Sequence, residues 1–293
     1  MKFAKKAIST LRKEGTQRLI EKTTNYLKSK LKNVKKSLFV KYYIFYGSYE
    51  GSVELKLKRY RVEFSTDSAS SVEGTIRRFL DEKHEIMGIL DCLKEDDTFY
   101  DIGANTGMYS LFASEKCSRV IAFEPYPPNI KKLKKNVRIN DSSNVVRIVE
   151  AALSDKSGKT GFLTVESENS KYPGVGSPGF GRGTVTDENS DLQVPTIRGD
   201  ELVEQNAVPY PNVVKIDVEG SEPLVLDGLA NALSSDLCRT IYCEVHLSKK
   251  TRGSIHDYGL SEEDLFAKLY RIGFSKVEKI TEEERKFLLK ATK

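Results

Sequence analysis

Short apolar runs alternate with amphipathic segments along the chain from about Thr75 onward. The apolar runs predict buried strands at residues 97–103, 119–125, 145–153, 212–218 and 239–246. Apolar residues recur at helical spacing in residues 76–90, 108–114, 129–140, 222–233 and 262–273. This alternation is typical of a mostly parallel sheet that helices cover on both faces. Residues 274–280 and 286–291 predict a closing hairpin, and therefore an antiparallel pairing at the end of the chain.

The first 74 residues have a different pattern. Apolar residues recur loosely at helical spacing between lysines up to about residue 34, which predicts one or two basic amphipathic helices. Residues 53–64 then alternate apolar and basic positions, as a half-buried strand does. We therefore expect a basic helical arm with a short β element at residues 1–74, followed by a main domain at residues 75–293.

Positive charge is concentrated in this arm. Residues 2–41 contain thirteen basic and two acidic side chains, although the whole chain of 293 residues has a formal charge of only +5. Such a segment suits docking on an anionic membrane surface or on a phosphate-bearing substrate, or it forms a solvated cover over the main domain. With no signal-peptide hydrophobic region and no membrane-spanning run, we expect a cytoplasmic protein that either stays free or touches the inner membrane face.

Cysteine usage argues against a metal–thiolate site and against a disulfide framework. The four cysteines include no CxxC pair and no histidine at ligand spacing. We therefore expect structural thiols in a reducing compartment.

One segment interrupts the alternation of helices and strands. Residues 172–183 contain five glycines and two prolines, a composition that excludes a regular helix or strand. Long loops within compact domains are commonly functional, so we interpret this one as an active-site flap or substrate loop, with Tyr172 and Arg182 as candidate substrate contacts. The alternative is a disordered surface insertion.

The first predicted strand of the main domain runs into FYDIGANTG, residues 99–107, at the position where open α/β sheets bind ligands. Gly103 and Gly107 let the backbone approach a ligand, and the helix that begins near Met108 offers free N–H groups. The GxGxxG register of dinucleotide folds is absent, and Asp101 would repel a pyrophosphate but attract the ammonium of a methionyl group. These features favour S-adenosylmethionine over NAD as the cofactor.

The next two strand ends offer further cofactor contacts. Glu124, about twenty residues past the glycine turn, is expected to accept hydrogen bonds from the ribose hydroxyls that NAD and S-adenosylmethionine share. Ala151 and Ala152 follow the third strand and are small enough to let an adenine lie against the backbone.

The fourth and fifth strands end in charged residues. Lys215, Asp217 and Glu219 alternate, so their side chains share one side of the strand end. Glu244 and His246 end the fifth strand, at the same edge of the sheet. Because burying unpaired charge is costly, we favour a functional role for these residues over an internal lysine–carboxylate pair.

His246 is the candidate general base for a hydroxyl acceptor, since a neutral imidazole takes a proton near pH 7. The alternative is a hydrogen-bonded histidine that only closes the fifth strand. If the acceptor is the carboxylate of a uronic acid, no base is needed, and Lys215 or Arg182 would position it by charge. Asp217 and Glu244 supply two carboxylates for a divalent metal, which is weak evidence, so no metal site is predicted. The candidate catalytic residues are His246, Asp217, Lys215 and Glu244.

Taken together, the motifs FYDIGANTGMYSL, VIAFEPYPPNIKKLKKNVRIN, EAALSDKSG, KIDVEGSEPLVLDGL and CEVH resemble the FkbM-like family of S-adenosylmethionine-dependent methyltransferases, over residues 73–246. The resemblance implies a class I Rossmann-like α/β fold, with a mostly parallel seven-stranded sheet and an antiparallel last strand. It implies O-methylation of a sugar, a glycan or a secondary metabolite such as a polyketide.

Residue by residue, the resemblance also implies a cofactor site. It places four residues around the methionyl group: Asp101, Gly103, Asn105 and Gly107. It places Glu124 on the ribose, and Asp217 and Glu219 at the mouth of the site. The chain departs from the family's common pattern in the glycine-rich loop and in VPTIRGDEL, residues 194–202. Because of these departures, the resemblance predicts the methyl acceptor less closely than it predicts the cofactor.

The main hypothesis is an S-adenosylmethionine-dependent O-methyltransferase that acts on a sugar or glycan, either free or lipid-linked at the inner membrane face. The alternative, from a different class, is a non-catalytic Rossmann-like module that binds a nucleotide or an acidic polymer and docks through its basic arm. Nucleic acid is not an expected partner, because the chain lacks an NPPY-type tetrapeptide and its basic charge is confined to one end.

Overall fold

The computed structural model describes residues 51–164, 183–186, 192–247 and 253–293. The strands are, in chain order, β1 (Ser52–Leu57), β2 (Tyr60–Ser65), β3 (Thr98–Ile102), β4 (Arg119–Phe123), β5 (Val146–Val149), β6 (Ala152–Ser154), β7 (Gly158–Thr164), β8 (Gly183–Thr186), β9 (Gln193–Arg198), β10 (Val213–Ile216), β11 (Thr240–His246), β12 (Lys276–Glu282) and β13 (Lys286–Thr292). The helices are α1 (Ala69–Cys92), α2 (Met108–Ser114), α3 (Pro127–Ile139), α4 (Gly199–Glu204), α5 (Glu222–Gly228), α6 (Ala230–Ser234) and α7 (Glu262–Ile272).

The central sheet has seven strands in the order β12–β13–β11–β10–β3–β4–β5. Strands β11, β10, β3, β4 and β5 pair in parallel, whereas β13 runs antiparallel to both of its neighbours, β11 and β12. All residues of β3 and β10 are buried, as expected of strands covered on both faces. The predicted class I Rossmann-like fold, with its antiparallel last strand, is therefore confirmed.

The register of the sheet brings the ends of four strands to one level. Ile216 pairs with Ile102 on one side and with Cys243 on the other, and Ile102 pairs with Phe123. The residues that come directly after these positions therefore meet at one edge of the sheet: Gly103, Glu124, Asp217 and Glu244.

Helix α1 starts before the predicted residue 76 because a capping box fixes its first turn. The Ser68 side chain accepts a hydrogen bond from the Ser71 N–H at 3.2 Å, and the Ser71 side chain accepts one from the Ser68 N–H at 3.2 Å. The apolar face of the helix packs on the domain, where Phe79 stacks on Phe112 of α2 with ring centroids 5.7 Å apart.

Strands β1 and β2 form a hairpin, whereas the alternating pattern predicted a single strand. The chain reverses at Lys58, which has a left-handed φ of +53°. Asn136 of α3 accepts a hydrogen bond from the Ser65 N–H at 2.9 Å and donates one to the Thr106 carbonyl at 2.8 Å. The hairpin thus belongs to the unit Glu50–Lys293, whereas the predicted boundary lay after residue 74.

Four strands form a second sheet, in the order β6–β9–β7–β8, which the sequence pattern did not predict. The predicted third strand at residues 145–153 breaks after Val149, because the Ala151 N–H donates to the Val149 carbonyl at 2.9 Å and turns the chain. The predicted helix at residues 222–233 is likewise divided, at Leu229, into α5 and α6.

Two predictions concern residues outside the described ranges. These are the basic helices before residue 51 and the glycine-rich loop up to residue 182, with Tyr172 and Arg182. In the part of the chain that the structure describes, no helix has the length and hydrophobicity to cross a bilayer. The four cysteines are free thiols and three of them are buried, in agreement with a structural role.

Candidate functional site

The glycine turn wraps the carboxyl end of β3. Gly103 and Ala104 both donate their backbone N–H to the Phe123 carbonyl at 3.0 Å. Gly103 has a φ of +79°, and a Cβ atom there would lie 1.9 Å from the Asp217 carbonyl oxygen. Glycine is therefore required here by the close approach of β10, in addition to any ligand.

Glu124 ties the glycine turn to the end of β4. Its Oε2 accepts a hydrogen bond at 2.8 Å from the N–H of Asn105, a residue with a left-handed φ of +54°. Its Oε1 accepts bonds from the Tyr126 N–H at 3.0 Å and from the Asn129 side chain at 3.2 Å. A carboxylate has about four acceptor positions, so about one stays available to a ribose hydroxyl. Ribose binding by Glu124 stays a prediction, to which the structure adds a role in shaping the turn.

Burial raises the pKa of Glu124 to about 7, and hydrogen bonds from Tyr126, Asn105 and Asn129 oppose this only in part. Because this pKa lies above the ordinary value of 4.5, Glu124 favours the folded chain most at low pH, and that contribution is lost as the pH rises through about 7. A ribose hydroxyl donates a hydrogen bond to the ionised carboxylate. The affinity for the cofactor should therefore rise as the pH rises, whereas the contribution of Glu124 to folding falls.

We expect the affinity for S-adenosylhomocysteine, the demethylated cofactor, to fall about tenfold from pH 8 to pH 6. The variant Glu124→Gln should bind more weakly at pH 8 and show a flat profile, because an amide does not titrate. Calorimetric titration at both pH values measures this, and the melting temperature verifies folding. Glu115→Gln changes an exposed acid outside the turn and should keep the wild-type profile. Wild-type affinity and slope in Glu124→Gln would contradict the ribose role.

Gly107, Ala151 and Ala152, also predicted to contact the cofactor, occupy tightly packed positions. Gly107 has a φ of +94°, and a Cβ atom there would lie 2.6 Å from Cδ1 of Leu133. Ala151 and Ala152 are buried directly after β5, the strand that pairs with β4. Their contact with an adenine stays a prediction.

A buried ion-pair cluster joins β3 to β10. The Nζ atom of Lys215 lies 3.6 Å from Oδ1 of Asp101 and 3.3 Å from Oδ2 of Asp217. Burial acts to lower the pKa of Lys215, but the two carboxylates raise it above its ordinary value, so the ammonium persists. Lys215 is 1% exposed, which argues against the predicted direct contact with an acceptor and favours the alternative of an internal ion pair.

Asp101 retains one acceptor atom. Its Oδ2 accepts a hydrogen bond from the Ser110 hydroxyl at 2.6 Å, while its buried Oδ1 has no hydrogen-bond donor among the described residues. Leaving a buried carboxylate oxygen without a donor is costly. The ammonium of S-adenosylmethionine would be a suitable donor, but Asp101 is 0% exposed and its Oδ1 already lies 3.6 Å from the Lys215 ammonium. Contact between Asp101 and the cofactor therefore stays a prediction.

Helix α1 contributes a row of charged residues that was not predicted from the sequence to belong to the site. Arg78, Glu82 and Glu85 lie about one helical turn apart, and the Arg78 Nε donates to Glu82 at 2.9 Å. The charge of Arg78 acts on Asp217, and that of Glu85 on Glu244. Burial raises the pKa of Glu85 to about 8, helped by the charges of Glu244 and Glu82. The helical spacing of these three charges was the signal that could have revealed the row.

His246 ends β11 among three carboxylates. Its Nδ1 lies 2.7 Å from Oε1 of the fully buried Glu222, and its Nε2 lies 3.3 Å from both Glu219 and Glu244. Burial acts to lower the pKa of His246, but the charge of Glu219, the hydrogen bond with Glu222 and the neighbouring carboxylate of Glu244 raise it well above its ordinary value. Glu222 was not predicted as a site residue, because an acidic residue in a first helical turn needs no further explanation.

Glu219 and Glu244 approach His246 from two different elements. Glu219 has a left-handed φ of +52°, and Gly220 follows with a φ of +100°. Backbone strain of this kind is concentrated at functional sites. Burial acts to raise the pKa of Glu244, but the neighbouring imidazole of His246 and the charge of Lys286 hold it below its ordinary value. The structure thus brings together Asp217, Glu219, Glu222, Glu244 and His246.

Comparison with known proteins places the chain in a family. Residues 101–283 match the methyltransferase FkbM domain. The chain is 34% identical over 202 residues to the hexuronic acid methyltransferase AglP of Haloferax volcanii, a match that covers 68% of this chain and 77% of that protein. It is 25% identical to the 31-O-demethyl-FK506 methyltransferase FkbM of Streptomyces tacrolimicus, over 53% of this chain and 67% of that protein.

Among solved structures, the methyltransferase FkbM from Methylobacillus flagellatus KT is similar at 15% identity and a TM-score of 0.44, covering 77% of this chain and 55% of that chain. Because that score is low, the assignment rests on the two sequence findings. The domain match spans more than half of the chain, and the match to AglP exceeds 30% identity over more than two thirds of it. The chain therefore belongs to the FkbM methyltransferase family.

Proposed function

We propose that this methyltransferase transfers a methyl group from S-adenosylmethionine to an oxygen atom of an acidic sugar, a hexuronic acid within a glycan. The observation that carries the proposal is the 34% identity to a protein named as a hexuronic acid methyltransferase, over 77% of that protein. The non-catalytic alternative is not favoured, since the chain belongs to a family of methyltransferases.

Residues of the glycine turn and of the end of β4 would hold the cofactor. Asp101 offers a buried acceptor to its ammonium group, and Glu124 offers about one acceptor position to its ribose. When bound, the cofactor supplies a methyl group whose transfer breaks a sulfur–carbon bond, forms a carbon–oxygen bond and leaves the electron pair on sulfur. The chain's own task is to align the acceptor oxygen with the bond that breaks and to exclude water.

The surroundings of His246 favour an acceptor that needs no general base. The side chain is 7% exposed, and its ring nitrogens face Glu222 on one side and Glu219 and Glu244 on the other. A uronate carboxylate is already ionised near neutral pH, so its methylation requires no proton transfer. We therefore propose methyl esterification of the carboxylate, with general-base catalysis by His246 as the alternative for a hydroxyl acceptor.

The purified full chain, incubated with S-adenosylmethionine and glycans that end in glucuronic or galacturonic acid, should yield products one methylene unit heavier by mass spectrometry. Matched glycans that end in glucose or galactose should not react. Mild alkali should release the methyl group as methanol, because it hydrolyses esters and leaves ethers intact. An alkali-stable product would contradict esterification and favour a hydroxyl acceptor. Failure on every uronic acid glycan, with S-adenosylhomocysteine still bound, would contradict the acidic sugar.

Two expectations about partners stay predictions. A glycan carried on a lipid would present the acceptor at a membrane surface, where the thirteen basic residues of the N-terminal segment are suited to dock. The exclusion of nucleic acid rests, as before, on sequence features alone.

A further inference from the structure

We infer that Asp217, Glu219 and His246 form a binding site for a divalent cation of the manganese and magnesium class. One ligand atom from each of these residues lies within 4.8 Å of the others. Two ligands of one such ion are separated by at most about twice the metal–ligand distance, roughly 4.2 Å. Only small side-chain movements therefore separate the described arrangement from a coordinated ion.

The buried imidazole of His246 is the observation that points to a ligand. Its side chain is more than nine-tenths buried, and its Nε2 faces Glu219 and Glu244 at 3.3 Å but makes no hydrogen bond of good geometry with a described residue. On the opposite side of the ring, Nδ1 lies 2.7 Å from the buried carboxylate of Glu222. In the neutral imidazole, that contact favours the tautomer with its proton on Nδ1 and a lone pair on Nε2. A cation at Nε2 would take the place of the second proton that the surrounding carboxylates otherwise hold on the ring. Metal-binding histidines are held in this way, by a carboxylate on the nitrogen that does not bind the metal.

The grouping of ligand atoms decides which carboxylates belong to the site. Glu219 replaces Glu244, which was considered as a metal ligand from the sequence and pairs with Lys286 at 2.6 Å. Asp217 also pairs with Lys215, at 3.3 Å through its Oδ2. Oε2 of Glu219 lies 3.3 Å from Nε2 of His246. An ion with two positive charges would reduce the repulsion between Asp217 and the three carboxylates that contact the imidazole.

The donor atoms select the class of cation. Two carboxylate oxygens and one imidazole nitrogen suit Mn²⁺ and, through the oxygens, Mg²⁺, whereas soft metals prefer thiolate ligands. Three protein ligands leave further positions of an octahedral ion open to oxygens of the acceptor. In this role, which rests on the proposed function, the ion would draw an anionic uronate towards a group of carboxylates that would otherwise repel it.

Mn²⁺ itself is the probe, because it is paramagnetic. The full chain, freed of metal with EDTA and dialysed, is titrated with MnCl₂ in the presence of S-adenosylhomocysteine, by calorimetry and by electron paramagnetic resonance. We expect one Mn²⁺ per chain and a nitrogen hyperfine coupling from His246.

Conservative variants test the ligand set. Glu219→Gln should weaken Mn²⁺ binding at least about tenfold, and Glu222→Gln, which acts through the imidazole, by about 10–100-fold. His246→Asn should remove the nitrogen coupling. Glu284→Gln, in the exposed turn between β12 and β13, should bind Mn²⁺ as the wild type does. The melting temperature and the affinity for S-adenosylhomocysteine verify that each variant is folded.

The absence of Mn²⁺ binding, unchanged binding in folded Glu219→Gln, or a spectrum without nitrogen coupling would each overturn the cation site. Such a failure is distinguishable from failure of the proposed function, because Mn²⁺ binding is measured without an acceptor. The protein could bind no Mn²⁺ and still transfer methyl groups in the presence of EDTA. That result would contradict the cation site and leave the proposed function intact. Mn²⁺ binding without methyl transfer to any uronic acid glycan would leave the cation site intact and contradict the proposed function.

Discussion

Replacing Lys215 by methionine is expected to lower the free energy of unfolding by about 3–5 kcal/mol. The ammonium is 1% exposed and lies 3.6 Å from a carboxylate oxygen of Asp101, which is 0% exposed. Methionine keeps the unbranched chain but leaves the charge of Asp101 buried without this cation. Breaking a buried ion pair on one side costs more than removing both partners, because the remaining charge stays desolvated. Urea unfolding followed by circular dichroism measures the change.

Two further variants separate the loss of charge from the loss of volume. Adding Asp101→Asn to Lys215→Met should recover part of the stability, because a buried amide costs less than a buried carboxylate. Lys276→Met removes a lysine whose side chain is 67% exposed and should change the stability by less than about 0.5 kcal/mol. A Lys215→Met protein as stable as the wild type would contradict the charged pair with Asp101.

Gly103→Ala should abolish cofactor binding and cost roughly 2–5 kcal/mol of stability. Part of the cost, about 1–2 kcal/mol, comes from holding a residue with a side chain in the left-handed region, at a φ of +79°. The remainder arises because the new methyl group would lie 1.9 Å from the carbonyl oxygen of Asp217, so the ends of β3 and β10 would have to separate. Thermal unfolding and calorimetric titration with S-adenosylhomocysteine measure the two effects.

Gly259→Ala is the matched control for the backbone conformation. Gly259 has a φ of +68°, and no described atom lies within 4 Å of a Cβ atom added there. This variant should lose about 1–2 kcal/mol and keep wild-type affinity for the cofactor. Equal losses in the two variants would show that the backbone conformation, and not the contact with β10, makes glycine necessary at position 103.

The edge of the sheet that carries the site was predictable because it follows from strands with strong local patterns. Strands β3 and β10 are short, mostly apolar segments that contain one charged residue each, and each is followed at once by a charged or glycine-rich segment. In a parallel sheet the carboxyl ends of such strands share an edge, so Gly103, Asp217 and Glu244 were expected to meet. The register of the sheet confirms that they do.

The partners of these residues were not predictable, because they depend on contacts between segments far apart in the chain. Glu222 lies 24 residues before His246, and nothing in its local sequence distinguishes it from an acidic residue that stabilises a helix start. The apolar residues of α1 were enough to predict a helix, so its charged residues Arg78 and Glu85 were not considered as site residues. Their position beside Asp217 and Glu244 depends on how α1 packs on the sheet.

Local pattern failed in a different way at the hairpin and in the second sheet. Apolar and charged residues alternate on both sides of the reversal, and only the adjacent basic pair Lys58–Arg59 interrupts the pattern, so two paired strands look like one. After Val149, a single tight turn sends the chain from one sheet to another without interrupting the apolar run. In both places the backbone changes direction at a residue whose side chain gives no turn signal.

Asn136 makes the hairpin and the glycine turn into one cooperative unit. Its amide oxygen accepts the Ser65 N–H and its amide nitrogen donates to the Thr106 carbonyl, so a single side chain satisfies a backbone group in each segment. Because Asn136 belongs to α3, separation of the hairpin from α3 in local unfolding removes the Ser65 contact that holds the amide in place for the Thr106 carbonyl. A cofactor that orders the glycine turn should therefore also suppress opening of the hairpin, which links ligand binding to the segment where the N-terminal part of the chain enters the domain.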